Sequence, residues 1–327
     1  MDNDGMTHIT IIGMGLIGTS LGLALRAASD HPPPLGQHTI TGYDQDSAAV
    51  ATARGRLAID RPARTLEAAV QGADIVVLAT PVQVVRSLLA TLGPLLATGT
   101  VVTDVSSTKA QVCAWAAELL PDGVHFVGGH PMAGREQAGP AAADPTLFQG
   151  AIYCLTPAAT TPPTALDRVE ALVTLVGAKP YYLDPDEHDA YVAGISHLPF
   201  LLSAAMVALP AQSPAWREMA ALAASGFRDV TRLASGDVVM HRDICMTNRA
   251  ALVRWINDMI ALLAETRDHL EQNQVEPIEH LFQHARMVRE AWLTEKPHLR
   301  PGEAAFEQEH QTERPGLFRF RRPPERS

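Results

Sequence analysis

The stretch Ile11-Ile12-Gly13-Met14-Gly15-Leu16-Ile17-Gly18 stands almost at the start of the chain. The apolar run Ile9 to Ile12 precedes it, and a helix-like stretch, Thr19 to Ala28, follows at once. A strand, then G-x-G-x-x-G, then a helix is the order a dinucleotide needs. The first glycine makes the turn, the second lets the backbone approach a pyrophosphate, and the third lets helix and strand pack closely. The pyrophosphate then sits on the unpaired N–H groups of the helix N-terminus. The spacing alone is a weak signal, and the flanking strand and helix strengthen it. Gly13, Gly15, Leu16, Ile17 and Gly18 are therefore candidate cofactor-binding residues.

The alternation begun there continues. Strand-like runs lie at His8–Gly13, Thr39–Asp44, Ile75–Ala79, Val101–Asp104, His125–Gly129, Ala151–Leu155 and Lys179–Leu183. Helix-like segments lie between them, at Ser47–Arg54, Val82–Leu92, Lys109–Leu120 and Ala165–Val176. This is the pattern of βαβ units and a mostly parallel sheet. The run His31-Pro32-Pro33-Pro34 reads as a loop that lengthens the first crossover. After Leu183 the character changes. Asp184-Pro185-Asp186-Glu187 is a helix start, with an Asp cap and Pro in the first turn. Beyond it Ile195–Leu209, Pro214–Ala224, Arg242–Gln272 and Pro277–Glu295 all carry helical apolar spacing. The expected fold is α/β: a Rossmann-like, mostly parallel sheet over residues 1–183, then an all-helical domain over 184–295. The polar tail 296–327 is expected to be disordered. Within Arg242–Gln272 a broad apolar stripe includes Leu252, Trp255, Ile256 and Met259. It suits a homodimer interface or a helix buried in one subunit.

The bulk numbers narrow the function. With 327 residues, 46% of them hydrophobic, the chain can bury one large core or two ordinary ones. A net charge of −10 without a basic block argues against nucleic acid as a partner. Cys113, Cys154 and Cys245 form no C-x-x-C pair, which suits a reducing cytoplasm. The acidic start Met1-Asp2-Asn3-Asp4 is not a signal peptide, and no apolar run approaches the ~20 residues of a membrane span.

In an open α/β sheet ligands bind beyond the carboxyl ends of the strands, so those ends carry the chemistry. The second strand ends in Asp44, placed to accept hydrogen bonds from the adenosine ribose and to repel a 2′-phosphate. That favours NAD over NADP. The plainer reading of Asp44 is a solvated strand end. Ala79-Thr80-Pro81 is small and poor in N–H groups, and suits backbone passing close to a cofactor. Thr80, Pro81 and Ser106 join the cofactor candidates. Ser106 and Ser107 could instead cap the helix that follows. Gly128-Gly129-His130 sets an imidazole among small residues on the same edge as the glycine loop, a general-base candidate against the plainer structural histidine. The helical half adds Ser196-His197 and the run Gly226-Phe227-Arg228-Asp229-Val230-Thr231-Arg232. Arginine grips carboxylates in bidentate fashion, but Arg228 beside Asp229 can equally be a surface ion pair. Spacing leaves both readings open.

Gly13–Gly18, Asp104–Lys109, Gly128–Gly134, Asp184–Asp189, Ser196–Pro199, Gly226–Arg232 and Arg242-Asp243 occur in an order that resembles the prephenate/arogenate dehydrogenases of tyrosine biosynthesis. The resemblance spans about residues 8 to 272. It implies an NAD-dependent oxidative decarboxylation of prephenate to 4-hydroxyphenylpyruvate, or of arogenate to tyrosine, in a homodimer joined through the helical domain. Aromatisation drives the reaction, so neither a metal nor a covalent intermediate is implied. By resemblance His130 accepts the hydrogen bond of the reacting hydroxyl and Ser107 shares it. Arg232 holds a substrate carboxylate, and His197, Ser196 and Arg228 line the same pocket. Glu136 falls where side-chain recognition and gating are expected, and Asp189 where a residue reaches the neighbouring subunit's site. Three departures stand out. Phe200 replaces a second imidazole, His241 stands where Trp is common, and Gly236 replaces a more usual polar residue. They bear on the choice between keto acid and amino acid. Two rival readings are a 3-hydroxyacid dehydrogenase or imine reductase, and a non-catalytic NAD-sensing module. The first calls for a Lys or Asp in the long interdomain helix, and Ile195–Leu209 has neither.

Overall fold

The computed structural model describes residues 6–28, 35–135 and 137–295. The Pro-rich stretch 31–34, Glu136 and the tail 296–327 lie outside the described residues. Strand β1 (Met6–Ile12) runs through the glycine loop into α1 (Leu16–Ala27). Then come β2 (Gln37–Tyr43), α2 (Ser47–Gly55), β3 (Arg61–Pro62), α3 (Leu66–Val70), β4 (Ile75–Leu78) and α4 (Val82–Leu92). After these follow β5 (Val101–Asp104), α5 (Ala110–Leu119), β6 (His125–Pro131), β7 (Ile152–Pro157), α6 (Pro163–Leu175) and β8 (Lys179–Tyr182). The eight strands form one sheet in the order β3-β2-β1-β4-β5-β6-β7-β8. All seven strands expected from the sequence are present. The eighth, β3, has two residues and is too short to carry a period.

Strand alternation explains the core. Ile75 and Val77 enter one buried cluster with Ile9, Ile11 and Ile40, while Val76 and Leu78 enter a second with Ile12, Val85 and Leu89. Successive side chains face opposite sides of the sheet, so helices cover both faces. Every neighbouring pair is parallel except β6–β7. A parallel return needs a crossover of a dozen residues or more, usually a helix. Among the described residues between β6 and β7 the one helical element is the short 3-10 turn Pro140–Ala142, so β7 returns antiparallel. His130 pairs with Cys154 across this reversal.

Beyond the sheet the described chain is helical. Asp184 caps α7 (Pro185–Val192) by accepting the N–H of Asp186 at 2.9 Å, with Pro185 in the first turn as expected. A π-helical turn, Ala193–His197, joins α7 to α8 (Leu198–Ala211). Then follow α9 (Trp216–Leu222), α10 (Ser225–Val230), the 3-10 turn Arg232–Ser235 and α11 (Val238–Thr247). The last helices are α12 (Arg249–Glu271) and α13 (Val275–Glu295). The single helix expected over Arg242–Gln272 is broken at Asn248. Its backbone leaves the helical region, at φ −115° and ψ 35°, and its side chain is spent on tertiary hydrogen bonds.

One further expectation is corrected. The run Pro185–Ala211 is 27 residues long, with a mean hydropathy of 1.8 over its most apolar window, and is long and apolar enough to cross a bilayer. The sequence hides this run because His188, Asp189 and His197 interrupt it. Those three groups are buried and hydrogen-bonded within the chain, while a third of the apolar window as a whole is buried. By packing, the chain divides into two compact units, Met1–Arg267 and a second from Asp268 onward. The second holds the end of α12 and α13, where Arg286 and Glu290 pair one turn apart at 2.8 Å.

Candidate active site

Two groups of residues meet the carboxyl edge of the sheet. The first is the glycine loop. Gly13 has φ +102°, and a Cβ there would lie 2.4 Å from the carbonyl oxygen of Ala79. A Cβ on Gly18 would lie 1.9 Å from the carbonyl oxygen of Gly13. Both glycines are demanded by the protein itself. Gly15 is different, because no protein atom lies within 4 Å of where its Cβ would stand. It is the N-cap of α1, which receives no side-chain hydrogen bond, so Leu16 and Ile17 open the helix beside that open space. This is a cradle for a phosphate group. Asp44 stands at the end of β2. Its Oδ2 accepts the N–H of Met14 at 2.7 Å and its Oδ1 that of Asp46 at 2.9 Å. Each oxygen keeps a lone pair, and Asp44 borders an open cavity of about 820 Å³ lined also by Tyr43, Ser47, Arg54, Pro62 and Arg64. The hydroxyls of Thr80 and Ser106 are buried with no partner among the described residues, and Pro81 caps α4. A glycine cradle, a carboxylate at the ribose end and two unspent hydroxyls fit a dinucleotide.

The second group surrounds His130. This residue is partly exposed near the end of β6, and β6 is parallel to β5, so its imidazole stands on the glycine-loop edge. His130 Nδ1 lies 2.9 Å from His188 Nε2, with the rings edge to face at 73°. His188 Nδ1 lies 2.8 Å from Asp189 Oδ1, and His188 is fully buried. Beneath β6, the ammonium of Lys109 is fully buried. It pairs with Asp104 and donates to the carbonyl of Gly129 at 2.6 Å. Asp104 Oδ1 accepts the N–H of Gly129 at 3.0 Å. The residue before His130 is thus held from both its donor and its acceptor. Burial, the His188 ring and the Lys109 charge hold the His130 imidazole well below its ordinary pKa, which keeps it neutral.

The remaining residues divide. His197, in the π-helical turn, is buried beside Asn248, and burial lowers its pKa to about 4. π-helical turns inside α-helices are frequent at functional sites. Ser196 is exposed in the same turn, and Ser107 is half-buried in the β5–α5 loop. Arg232 is exposed at the start of its 3-10 turn, which Ser203 of α8 pins through the N–H of Ala234 at 3.0 Å. Arg228 pairs with Asp229 at 3.6 Å and both are largely exposed, so the surface ion pair is what forms. Two expectations are corrected here. Neither Ser106 nor Ser107 caps α5. Asp189 does, accepting the N–H groups of Lys109 at 2.7 Å and Ala110 at 3.0 Å. For the same reason Asp189, 4% exposed, is spent inside its own chain rather than reaching a neighbour. His188, Asn248 and the Lys109–Asp104 pair were missed. Their partners lie up to 80 positions away, and only the His-Asp pair on a capped helix hints at them.

The three departures in sequence come together in space. Phe200 and His241 stack with centroids 4.2 Å apart and planes within 4°. Gly236 lies flush on the His241 ring, where a Cβ would meet Cε1 at 2.4 Å. Phe200 also lies 5.8 Å from the His197 ring.

Two family models cover the chain: "Prephenate dehydrogenase, nucleotide-binding domain" over residues 27–182 and "Prephenate dehydrogenase, dimerization domain" over 184–284. The chain is 35% identical over 288 residues to the prephenate dehydrogenase of Bacillus subtilis, covering 86% of this chain and 75% of that one. The solved arogenate dehydrogenase of Synechocystis is 31% identical with a TM-score of 0.75, covering 88% of this chain and all of that one. The Aquifex aeolicus prephenate dehydrogenase, solved with hydroxyphenyl propionate and NAD+, is 26% identical with a TM-score of 0.80, covering 88% and 98%. The glycine cradle, the imidazole on its edge and these likenesses agree: the chain belongs to the prephenate dehydrogenase family, NAD-dependent oxidoreductases.

Proposed function

We propose that this protein carries out the oxidative decarboxylation of prephenate to 4-hydroxyphenylpyruvate, a step of tyrosine biosynthesis. The observation that carries the reading is the neutral imidazole of His130 on the edge that holds the glycine cradle. Bound NAD would take the hydride from the carbon that bears the substrate's hydroxyl. His130 takes that hydroxyl's proton, and Ser107 shares the hydrogen bond. Loss of carbon dioxide then makes the ring aromatic. Gly13, Gly15 and Gly18, with Leu16 and Ile17, hold the pyrophosphate. Asp44 holds the ribose, and Thr80, Pro81 and Ser106 flank the nicotinamide side. Arg232 grips a substrate carboxylate, with His197 and Ser196 beside it.

The 35% identity to the Bacillus subtilis prephenate dehydrogenase supports prephenate over arogenate. The alternative, arogenate, answers to the same assay. Purified protein is mixed with NAD and each substrate in turn, and NADH absorbance is followed. NADH from prephenate in preference to arogenate is the expected result, and none from either would end the proposal.

We further place the protein in the cytoplasm as a homodimer. Three unpaired thiols fit the first. Exposed Ile195, Leu209 and Leu222 on the helical segment fit the second. The functional division is taken at 183/184, with 1–183 binding the dinucleotide and 184–295 completing the site and pairing.

A further inference from the structure

We infer that Asp189 sets the two imidazoles of the site in opposite tautomers: His130 as a bare acceptor through His188, and His197 as a donor through Asn248. The inference rests on the proposed function only in taking His130 as the base.

The first arm starts at the carboxylate. Asp189 accepts the N–H groups of Lys109 and Ala110 at the start of α5, which holds it in one orientation. A carboxylate only accepts, so His188 Nδ1, 2.8 Å from Oδ1, carries a hydrogen. A neutral His188 then has a bare Nε2. That atom faces His130 Nδ1 at 2.9 Å, so His130 carries its hydrogen on Nδ1. The outward nitrogen of His130, Nε2, is left with a free lone pair. The buried Lys109 ammonium beneath the strand opposes any resident imidazolium. When His130 takes a proton, His188 and the Asp189 charge stabilise the cation that forms.

The second arm starts at the backbone of the same residue. Asn248 Nδ2 donates to the carbonyl oxygen of Asp189 at 2.7 Å, which fixes the amide's orientation. Its second hydrogen faces His197 Nδ1 at 3.2 Å. An NH2 group only donates, so His197 Nδ1 accepts and the ring hydrogen sits on Nε2. That N–H is buried, and no acceptor among the described residues meets it. A substrate carboxylate or carbonyl oxygen is the chemistry that satisfies such a donor. One residue therefore prepares a base with its side chain and a neutral donor with its main chain. Neither imidazole needs to carry charge at rest.

The test is nitrogen-15 NMR of the labelled full chain with NAD bound, because ring nitrogens with and without a hydrogen resonate far apart. Signals are assigned by their loss in His130→Asn and His197→Asn. The expected spectrum has the His130 hydrogen on Nδ1 and the His197 hydrogen on Nε2. A hydrogen on His130 Nε2, or on His197 Nδ1, overturns the inference. His188→Leu should release the His130 tautomer and lower kcat by on the order of a hundredfold, with KM and NAD affinity little changed. Asn248→Ala should move the His197 signals alone and raise KM more than it lowers kcat. An unchanged kcat in His188→Leu also overturns the inference. If the spectrum is as expected but neither prephenate nor arogenate yields NADH, the proposed reaction fails and the tautomer assignment stands.

Discussion

His130 and Arg232 make separable contributions, and single substitutions part them. His130→Asn removes the proton acceptor while leaving the glycine cradle intact. It should lower kcat roughly 10²–10⁴-fold with NAD affinity unchanged, as measured by steady-state rates and calorimetric titration. The same residue sets the acid limb of the rate profile. On the proposed function its neutral form is the active one, and burial holds its pKa well below the ordinary imidazole value. Activity should therefore hold as pH falls past the usual histidine range and drop only at lower pH. Arg232→Ala should raise KM about tenfold or more with a smaller effect on kcat, and an unchanged KM would return Arg232 to the surface. Lys109→Met tests the floor beneath the base. Breaking a buried ion pair strands Asp104, also fully buried, and should cost roughly 3–5 kcal/mol in denaturant unfolding. The sequence shows His130 because its neighbours in the chain are glycines. It does not show His188 or Asn248, because their roles exist only once α7 is laid against α5 and the end of α11 against α7.

At the scale of elements the glycine loop separates folding from binding. Gly18→Ala forces a Cβ to 1.9 Å from the Gly13 carbonyl and should lower the melting temperature. Gly15→Val adds atoms only to open space. The melting temperature should be nearly unchanged while the NAD dissociation constant rises about tenfold or more. Equal loss of stability in both variants would contradict the open cradle. The element boundaries were legible where period and cap agreed. The α4 helix, Val82–Leu92, is found as read, because its apolar spacing is clean and Pro81 precedes it. The break at Asn248 was not legible, since a buried asparagine taken out of the helix by tertiary bonds leaves the local apolar spacing intact. The reversal at β7 was missed for a different reason: strand direction is set by what the connection can span, and not by strand composition.

At the scale of the whole molecule the helical segment leaves apolar surface uncovered. Ile195 is 72% exposed, Leu209 74% and Leu222 85%. Large exposed apolar side chains gathered on one segment suit an association site. Light scattering on the purified chain should give twice the monomer mass, and Leu209→Asp should give the monomer. The continuous helix from Pro185 to Ala211 has a further consequence. The groups that orient the imidazoles sit toward its front, at His188, Asp189 and His197, and bare hydrocarbon shows at its back, at Met206 and Leu209. On the proposed function, one girder would serve catalysis at one end and assembly at the other. Dilution that frees the back end will loosen the front, so specific activity should decline as the protein is thinned out.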